Sequence, residues 1–208
     1  MRLLRLSSAL LAVSFFAVSC MKEKSFSSTG TTGNTGNTNT SKSIVGNWKF
    51  VSIAGSTAAN VELKDGTDVM KMLTLLTFSS SNPTGVYKIT STQMSGENVG
   101  YTYIGTSKVT AYMNNELLSD ISQPVNSTIA GYNSSSNYRL FGTDSIYFDT
   151  NTAGGPGTAA VPIGGRYKLD GTKLTFTFNT STTETVDVGG IPAKQTMIIK
   201  TTVLLEKQ

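Results

Sequence analysis

The sequence predicts an all-β domain, an antiparallel barrel with a β-sandwich as the alternative architecture. Two observations carry this. From residue 43 onward the chain is a succession of short runs rich in Thr, Val, Ile, Tyr and Phe, separated by Gly, Asn, Asp and Ser, and the residue types in the runs suit a pleated, half-buried surface. One run, Arg166 to Phe178, reads as a hairpin in which Asp170-Gly171 makes a type I′ turn. After that turn Leu174, Phe176 and Phe178 fall on one face and Lys173, Thr175 and Thr177 on the other.

The chain opens with Arg2 and Arg5, then an apolar run from Ala9 to Val18 broken only by Ser14. That run is about ten residues, half of the roughly 20 that a membrane-spanning helix needs, so 1–19 reads as an export signal that is removed. Ala17-Val18-Ser19-Cys20 resembles the lipobox of bacterial lipoproteins, and Cys20 is the only cysteine in the chain. The resemblance implies cleavage before Cys20, a diacylglycerol on its thiol and a further acyl chain, of the palmitate kind, on its amino group. Acyl chains hold by about 0.8 kcal/mol per buried methylene, so the mature protein is expected to sit on a membrane without spanning it. Met21 follows the cysteine, so the Asp that resembles an inner-membrane retention signal is absent and the outer membrane is the expected address. Lys22-Glu23-Lys24 resembles the charged export signals of Bacteroidetes surface lipoproteins but lacks their acidic run, which leaves the leaflet open.

Residues 20–42 read as the lipidated Cys20 and a tether of Ser, Thr, Gly and Asn, and from Ser25 to Ser43 Phe26 is the one large apolar side chain. Such a segment buries too little surface to offset its ordering entropy, and as a coil it spans roughly 20 to 25 Å. Residues 43–208 form the domain. Its candidate strands are Trp48–Ala54, Met72–Ser79, Gly85–Thr92, Val99–Gly105, Lys108–Met113, Ser145–Asp149, the two arms of the 166–178 hairpin, Glu184–Val188 and Lys194–Leu205, ten in all. Glu62–Lys71 and Asn115–Ile121 are candidate short helices, the second capped by Asn115. Asn151 to Gly165, with Gly154-Gly155-Pro156-Gly157, reads as a long flexible loop.

Composition removes several function classes. The chain has no His and one Cys, so an imidazole base, a His-ligated metal, a disulfide and a Cys/His pair are all unavailable. Without the signal peptide, 15 Lys and Arg stand against 13 Asp and Glu, a net charge of +2, and the basic residues are scattered singly. That pattern does not track phosphates, and no nucleic-acid partner is expected. Glu62, Asp65 and Asp68, and separately Asp144 and Asp149, are the carboxylate candidates for acid/base work or calcium. The first set lacks EF-hand spacing, and the second pair differs by an odd number and so faces opposite sides of one strand. No Gly-x-Ser-x-Gly occurs, and no enzymatic activity, cofactor or metal is expected.

Ile44-Val45-Gly46-Asn47-Trp48-Lys49-Phe50 places a Gly-x-Trp at the first strand. This resembles the opening motif of lipocalins, and especially the lipocalin-like domains of Bacteroidetes lipoproteins; the Tyr167–Phe176 segment resembles their late hairpin. The resemblance implies a barrel closed at one end by Gly46 and Trp48. Lipocalins also have a Thr-Asp-Tyr-like turn, which Gly142-Thr143-Asp144-Ser145 matches in part, an Arg that stacks on the Trp, for which Arg166 or Lys200 are the available substitutes, and a helix after the barrel, which this chain lacks. Asp144-Ser145-Ile146 resembles a Bacteroidetes O-glycosylation pattern.

The function expected from this resemblance is a non-enzymatic, membrane-anchored protein that binds a small hydrophobic or amphipathic ligand. Tyr87, Tyr101, Tyr103, Phe176 and Phe178 are its candidate contacts, with Tyr101 and Tyr103 sharing a strand face. The alternative is a surface module that binds glycans or serves as a structural or adhesive part of the envelope.

Overall fold

The computed structural model describes residues 43–149 and 163–208. It contains eight strands: β1 (Gly46–Asp65), β2 (Asp68–Ile89), β3 (Gln93–Met113), β4 (Glu116–Phe141), β5 (Ser145–Phe148), β6 (Ile163–Asp170), β7 (Lys173–Val188) and β8 (Ile191–Lys207). Each pairs antiparallel with the next, and β8 returns to β1, so the sheet closes in a ring. The all-β expectation holds, and the barrel is preferred over the sandwich.

Eight strands replace the expected ten. Met72–Ser79 and Gly85–Ile89 of the expected Gly85–Thr92 are parts of β2, Val99–Gly105 and Lys108–Met113 are parts of β3, the second hairpin arm and Glu184–Val188 are parts of β7, and β4 matches no expected strand. Neither candidate helix forms: Glu62–Lys71 is the β1–β2 hairpin, with its loop at Gly66-Thr67, and Asn115 lies in the β3–β4 loop that leads into β4. Glu62, Lys64, Lys71 and Asp120 are outward residues of strands, Asp65 and Asp68 flank the β1–β2 loop, and Glu116 opens β4. Of the expected 151–165 loop, Ile163–Gly165 belongs to β6 and the remainder lies outside the described residues. The β6–β7 turn is also shifted by one residue. Asp170 pairs with Lys173, leaving Gly171-Thr172 as the loop, and Gly171 alone takes positive φ (60°), the pattern of a type II′ turn.

The strands are unequal, and this shapes the molecule. β5 pairs with β4 only across Tyr138–Phe141, and β6 pairs with β7 only across Lys173–Phe178. Among the described residues the ring therefore closes at one end, which we term the base. Beyond it the order β4-β3-β2-β1-β8-β7 continues as a six-stranded sheet up to the three hairpin loops. Both Ile44 and Gln208 lie at the base, where Gln208 N–H donates to the Asn47 carbonyl (3.1 Å).

Trp48, Phe50, Tyr87, Ile89, Met94, Tyr138, Ile146, Phe148, Leu174, Phe176, Phe178 and Leu205 fill the base. Phe148 touches Phe176 and Phe178 at ring distances of 6.0 and 6.1 Å, and Phe176 and Phe178 stack on each other. The Tyr138 hydroxyl donates to the Thr90 carbonyl (2.6 Å), tying β4 to the β2–β3 turn.

Base and open sheet meet at a seam of irregularities on four neighbouring strands. Register shifts occur on β1 after Phe50, on β2 between Ser81 and Val86, on β3 between Gly96 and Val99, and on β4 between Ile129 and Tyr132. Bulges bend a strand and increase its twist. Side chains supply what the ladder loses there. Ile53 N–H donates to Ser80 Oγ (2.8 Å), Asn98 N–H to Asn133 Oδ1 (2.9 Å), and the Thr84 hydroxyl reaches the carbonyls of Asn98 and Gly100.

Gly85 sits in this seam at φ +96°, and a Cβ there would stand 2.5 Å from the Asn98 carbonyl oxygen and 2.6 Å from Val99 Cα. Gly66 also has positive φ, but nothing lies within 4 Å of the corresponding Cβ position. Gly85→Ala is therefore expected to lower the unfolding free energy by about 3 kcal/mol or more, because strain and backbone overlap act together. Gly66→Ala should cost about 1 kcal/mol from φ alone. Urea titrations of the two variants compare them directly, and equal losses would remove the seam as a tight contact.

Candidate ligand-binding face

Above the seam, side chains alternate between the outer surface and an inner face that continues the barrel interior. The register fixes which is which. Gly55, Thr57, Ala59 and Val61 of β1 lie opposite Phe78, Leu76, Thr74 and Met72 of β2, and opposite Thr201, Ile199, Met197 and Gln195 of β8. Gly105, Ser107, Val109 and Ala111 of β3 extend the face on one side, followed by Val125, Gln123, Ile121 and Ser119 of β4. Thr180 and Thr182 of β7 extend it on the other.

Most of these side chains are half-buried, unlike those of the base. Ile121 is 57% exposed. β4 from Glu116 to Gly131 and β7 from Asn179 to Val188 pair on one side only among the described residues. Among the described residues the inner face is therefore a trough between two sheet edges that no further strand covers. It is lined by a mixture of Leu, Ile, Val and Met with Thr, Ser and Gln.

The floor of the trough, at the seam, is aromatic. Phe50 meets Tyr87 and Tyr101 edge-on at 6.2 and 5.8 Å, and Phe78 meets Tyr103 at 6.0 Å. Tyr87 is buried and its hydroxyl hydrogen-bonds with that of Tyr132, while Tyr101 and Tyr103 are half-buried. Tyr101 and Tyr103 do share a face, and it is the inner one. Phe176 and Phe178 are packed within the base, under the floor rather than along the trough.

Burial governs the ionisation of these tyrosines. Removal from water, followed by the Tyr132 and Tyr101 hydroxyls, raises Tyr87 far above the ordinary tyrosine value. Burial, with Tyr132 and Tyr103 beside it, pushes Tyr101 up to about 12.

At the base, Gly46 begins β1 opposite Ile89. Trp48 is fully buried and its indole N–H donates to the Ile44 carbonyl (2.8 Å). The cation over its ring is Lys207, 5.9 Å from the centroid, and not Arg166 or Lys200. Arg166 instead pairs with Asp144, and Lys200 lies on β8 opposite Ser56, on the outer surface of the trough. Lys207 was legible only through the pairing of Trp48 with Lys207, which the sequence does not display.

Asp65 and Asp68 stand in register with each other, exposed across the β1–β2 loop, whereas Asp144 and Asp149 are held by different arginines. Asp144 is held by Arg166 and also accepts from the Ser145 hydroxyl (3.1 Å), and Asp149 is held by Arg139 (2.8 Å). Glu62 pairs with Lys64 at 3.5 Å on the outer surface. Among the described residues no group of three Asp, Glu, Cys or His is placed to hold a metal.

No protein-family model matches this chain, and neither a curated protein nor a solved structure is significantly similar to it.

The tyrosine shifts set a pH dependence. Both folded values lie above the unfolded value near 10.0, so the folded state holds these phenolic protons more tightly. The stability they contribute is fully present below pH 10 and is lost as the pH rises beyond it, through about 12 for Tyr101. Urea midpoints measured from pH 8 to 12, with tyrosine ionisation followed at 295 nm, should be flat to about pH 10 and then fall. A midpoint unchanged to pH 12 would mean these hydroxyls are not enclosed.

Proposed function

We propose that this protein is a lipid-anchored envelope lipoprotein whose β domain binds a small hydrophobic or amphipathic molecule in the trough, without a chemical step. The observation that carries the reading is the inner face itself. From Gly55 to Val61 and across to Thr201, Leu76 and Val109 it is uncharged, mixes apolar and hydroxyl side chains, and is left half-covered. Ligand sites are typically apolar surfaces with a few placed polar groups. The packed base leaves the trough above it as the place for such a molecule.

A lipocalin-like ancestry and anchorage through Cys20 fit this reading. The burial of Trp48 in the base, with Lys207 over its ring, supports it. An anchor that joins the chain at the base leaves the three hairpin loops and the open end of the trough on the far side from it.

The direct test is displacement of a neutral apolar fluorophore such as N-phenylnaphthylamine from the domain starting at Ser43. Saturable binding is expected in the wild type. Leu76→Lys, which sets an ammonium in the middle of the inner face on a half-exposed side chain, should weaken it at least tenfold with little change in urea midpoint. Unaltered binding in Leu76→Lys would move the site elsewhere. For the anchor, Cys20→Ser expressed in a Gram-negative host should shift the protein from the membrane to the soluble fraction, and membrane retention by the Ser variant would contradict lipidation.

A second reading has one observation behind it. On the outer surface Leu75 (44% exposed), Ala58 and Ile198 (39% exposed) lie side by side across β2, β1 and β8, with Leu73 next to them. An exposed apolar row of this kind suits a protein–protein contact, the surface-module alternative. Leu75→Glu should leave fluorophore binding intact if the trough is the functional surface.

A further inference from the structure

The charged residues of the open sheet are sorted by side. Lys64, Lys71, Lys108, Lys194 and Lys200 all occupy outward register positions: Lys71 and Lys194 flank Glu62, Lys108 faces Leu75, and Lys200 faces Ser56. The outer carboxylates are partly neutralised there, through Lys64 with Glu62 and Lys108 with Asp120 (3.1 Å). Asp120 is held below the usual carboxylate range by its hydrogen bonds from Lys108 and Thr110.

The inner register positions carry no cation above the seam. Their ionised groups are four carboxylates at the open end. Asp65 and Asp68 flank the β1–β2 loop, in register with inward Leu63 and Met70. Glu116 lies opposite Met113, and Glu184 opposite inward Gln195. All four are exposed, and none has an ion-pair partner among the described residues. Asp68 is fixed in place by the Asn114 amide of the neighbouring hairpin (3.0 Å), whose backbone in turn bonds Val69. The four come from three hairpins and cannot close on a metal as a group.

The trough thus has an aromatic floor, uncharged walls and a negative mouth. On β1 the wall from Gly55 to Leu63 spans nine residues, roughly 30 Å at about 3.3 Å per residue, enough for an extended alkyl chain. We propose that the ligand is a single-chain amphiphile with a cationic head group, its tail along the wall and its ammonium at the carboxylate mouth. Anionic amphiphiles such as fatty acids and alkyl phosphates are disfavoured by the same field. This rests on the trough being the binding site, as proposed above.

The test uses three probes with the same C12 tail, each below its micellar concentration: dodecyltrimethylammonium, dodecyl maltoside and dodecyl sulfate. Each competes with N-phenylnaphthylamine on the wild-type domain. The cationic probe should bind about tenfold more tightly than the anionic one at 10 mM salt, with the maltoside between them. The gap should shrink toward unity at 1 M salt, where the Debye length falls to about 3 Å. Neutralising the mouth with Asp65→Asn, Asp68→Asn, Glu116→Gln and Glu184→Gln together should remove the gap while leaving maltoside affinity unchanged. Because these are exposed loop and rim positions, the variant should keep its circular dichroism spectrum, and the salt titration of the wild type stands as an independent readout. Equal or stronger binding of dodecyl sulfate, or a preference that survives neutralisation, overturns the charge assignment and leaves the trough reading standing. Failure of all three probes overturns both.

Discussion

Four neighbouring strands leave regular pairing at one level, and the rest of the molecule depends on that seam. A sheet of six strands as long as these twists continuously if its ladder is unbroken. Here β1 to β4 each carry an irregularity between the base and the open region, with Asn82 and Asn98 both in the left-handed region (φ 50°) and Gly85 at φ +96°. Packing across the seam is tight enough to exclude side chains: a Cβ on Gly131 would stand 2.0 Å from Asn98 Oδ1, and one on Gly100 would stand 3.0 Å from the Gly131 nitrogen. Small residues there are a condition of the bend.

The seam also accounts for polar side chains at the bend. Backbone groups released at a bulge need partners, and Ser80, Thr84 and Asn133 provide them by short side chains that reach their own or a neighbouring strand. Below the seam the same alternation buries large aromatics, and the ring is closed by the short β5 and β6. Above it β4 and β7 outrun the described residues of β5 and β6, and the inner face keeps its apolar and hydroxyl character with no second layer among the described residues. The free edges are not uniformly blunted. Pro124 on β4 lacks a backbone donor and suits an edge strand, whereas β7 from Asn179 to Thr183 carries no charge or proline.

Some of this could be read from residues alone. Alternation in Leu174, Phe176 and Phe178 showed a strand with one buried face, and Tyr101 and Tyr103 were assigned to a common face that the structure places inward. Trp48 emerged as a buried element of the base because it follows Gly46 at the first strand. Other features were hidden for physical reasons. β4 escaped notice because between Ser122 and Asn137 its inward positions are mostly Gln, Ser and Val and its outward ones Pro, Asn and Thr, so little hydrophobic contrast marks the period of two. The run in β2 looked like two strands because Asn82-Pro83 interrupts it, whereas in the sheet this is a bulge, and the run in β3 was divided at Thr106-Ser107, which continue the ladder opposite Thr77 and Leu76. The candidate helix at Glu62–Lys71 failed because Asp65-Gly66-Thr67-Asp68 is a hairpin loop flanked by residues that pair across it. The sorting of lysines outward and rim carboxylates inward depends on the register, which no local pattern reveals.

Among the described residues the ring closes only at its base and leaves an open sheet above the seam. Residue-resolved amide hydrogen exchange on the domain tests it most directly. Slow exchange is expected for the amides of β5, β6 and the paired lower halves of β1, β7 and β8. Along β4 from Glu116 to Gly131 and β7 from Asn179 to Val188, every second amide should exchange orders of magnitude faster, because it points away from the single partner strand. Uniform protection along both edges would mean that they are paired or covered, and the trough would not be open.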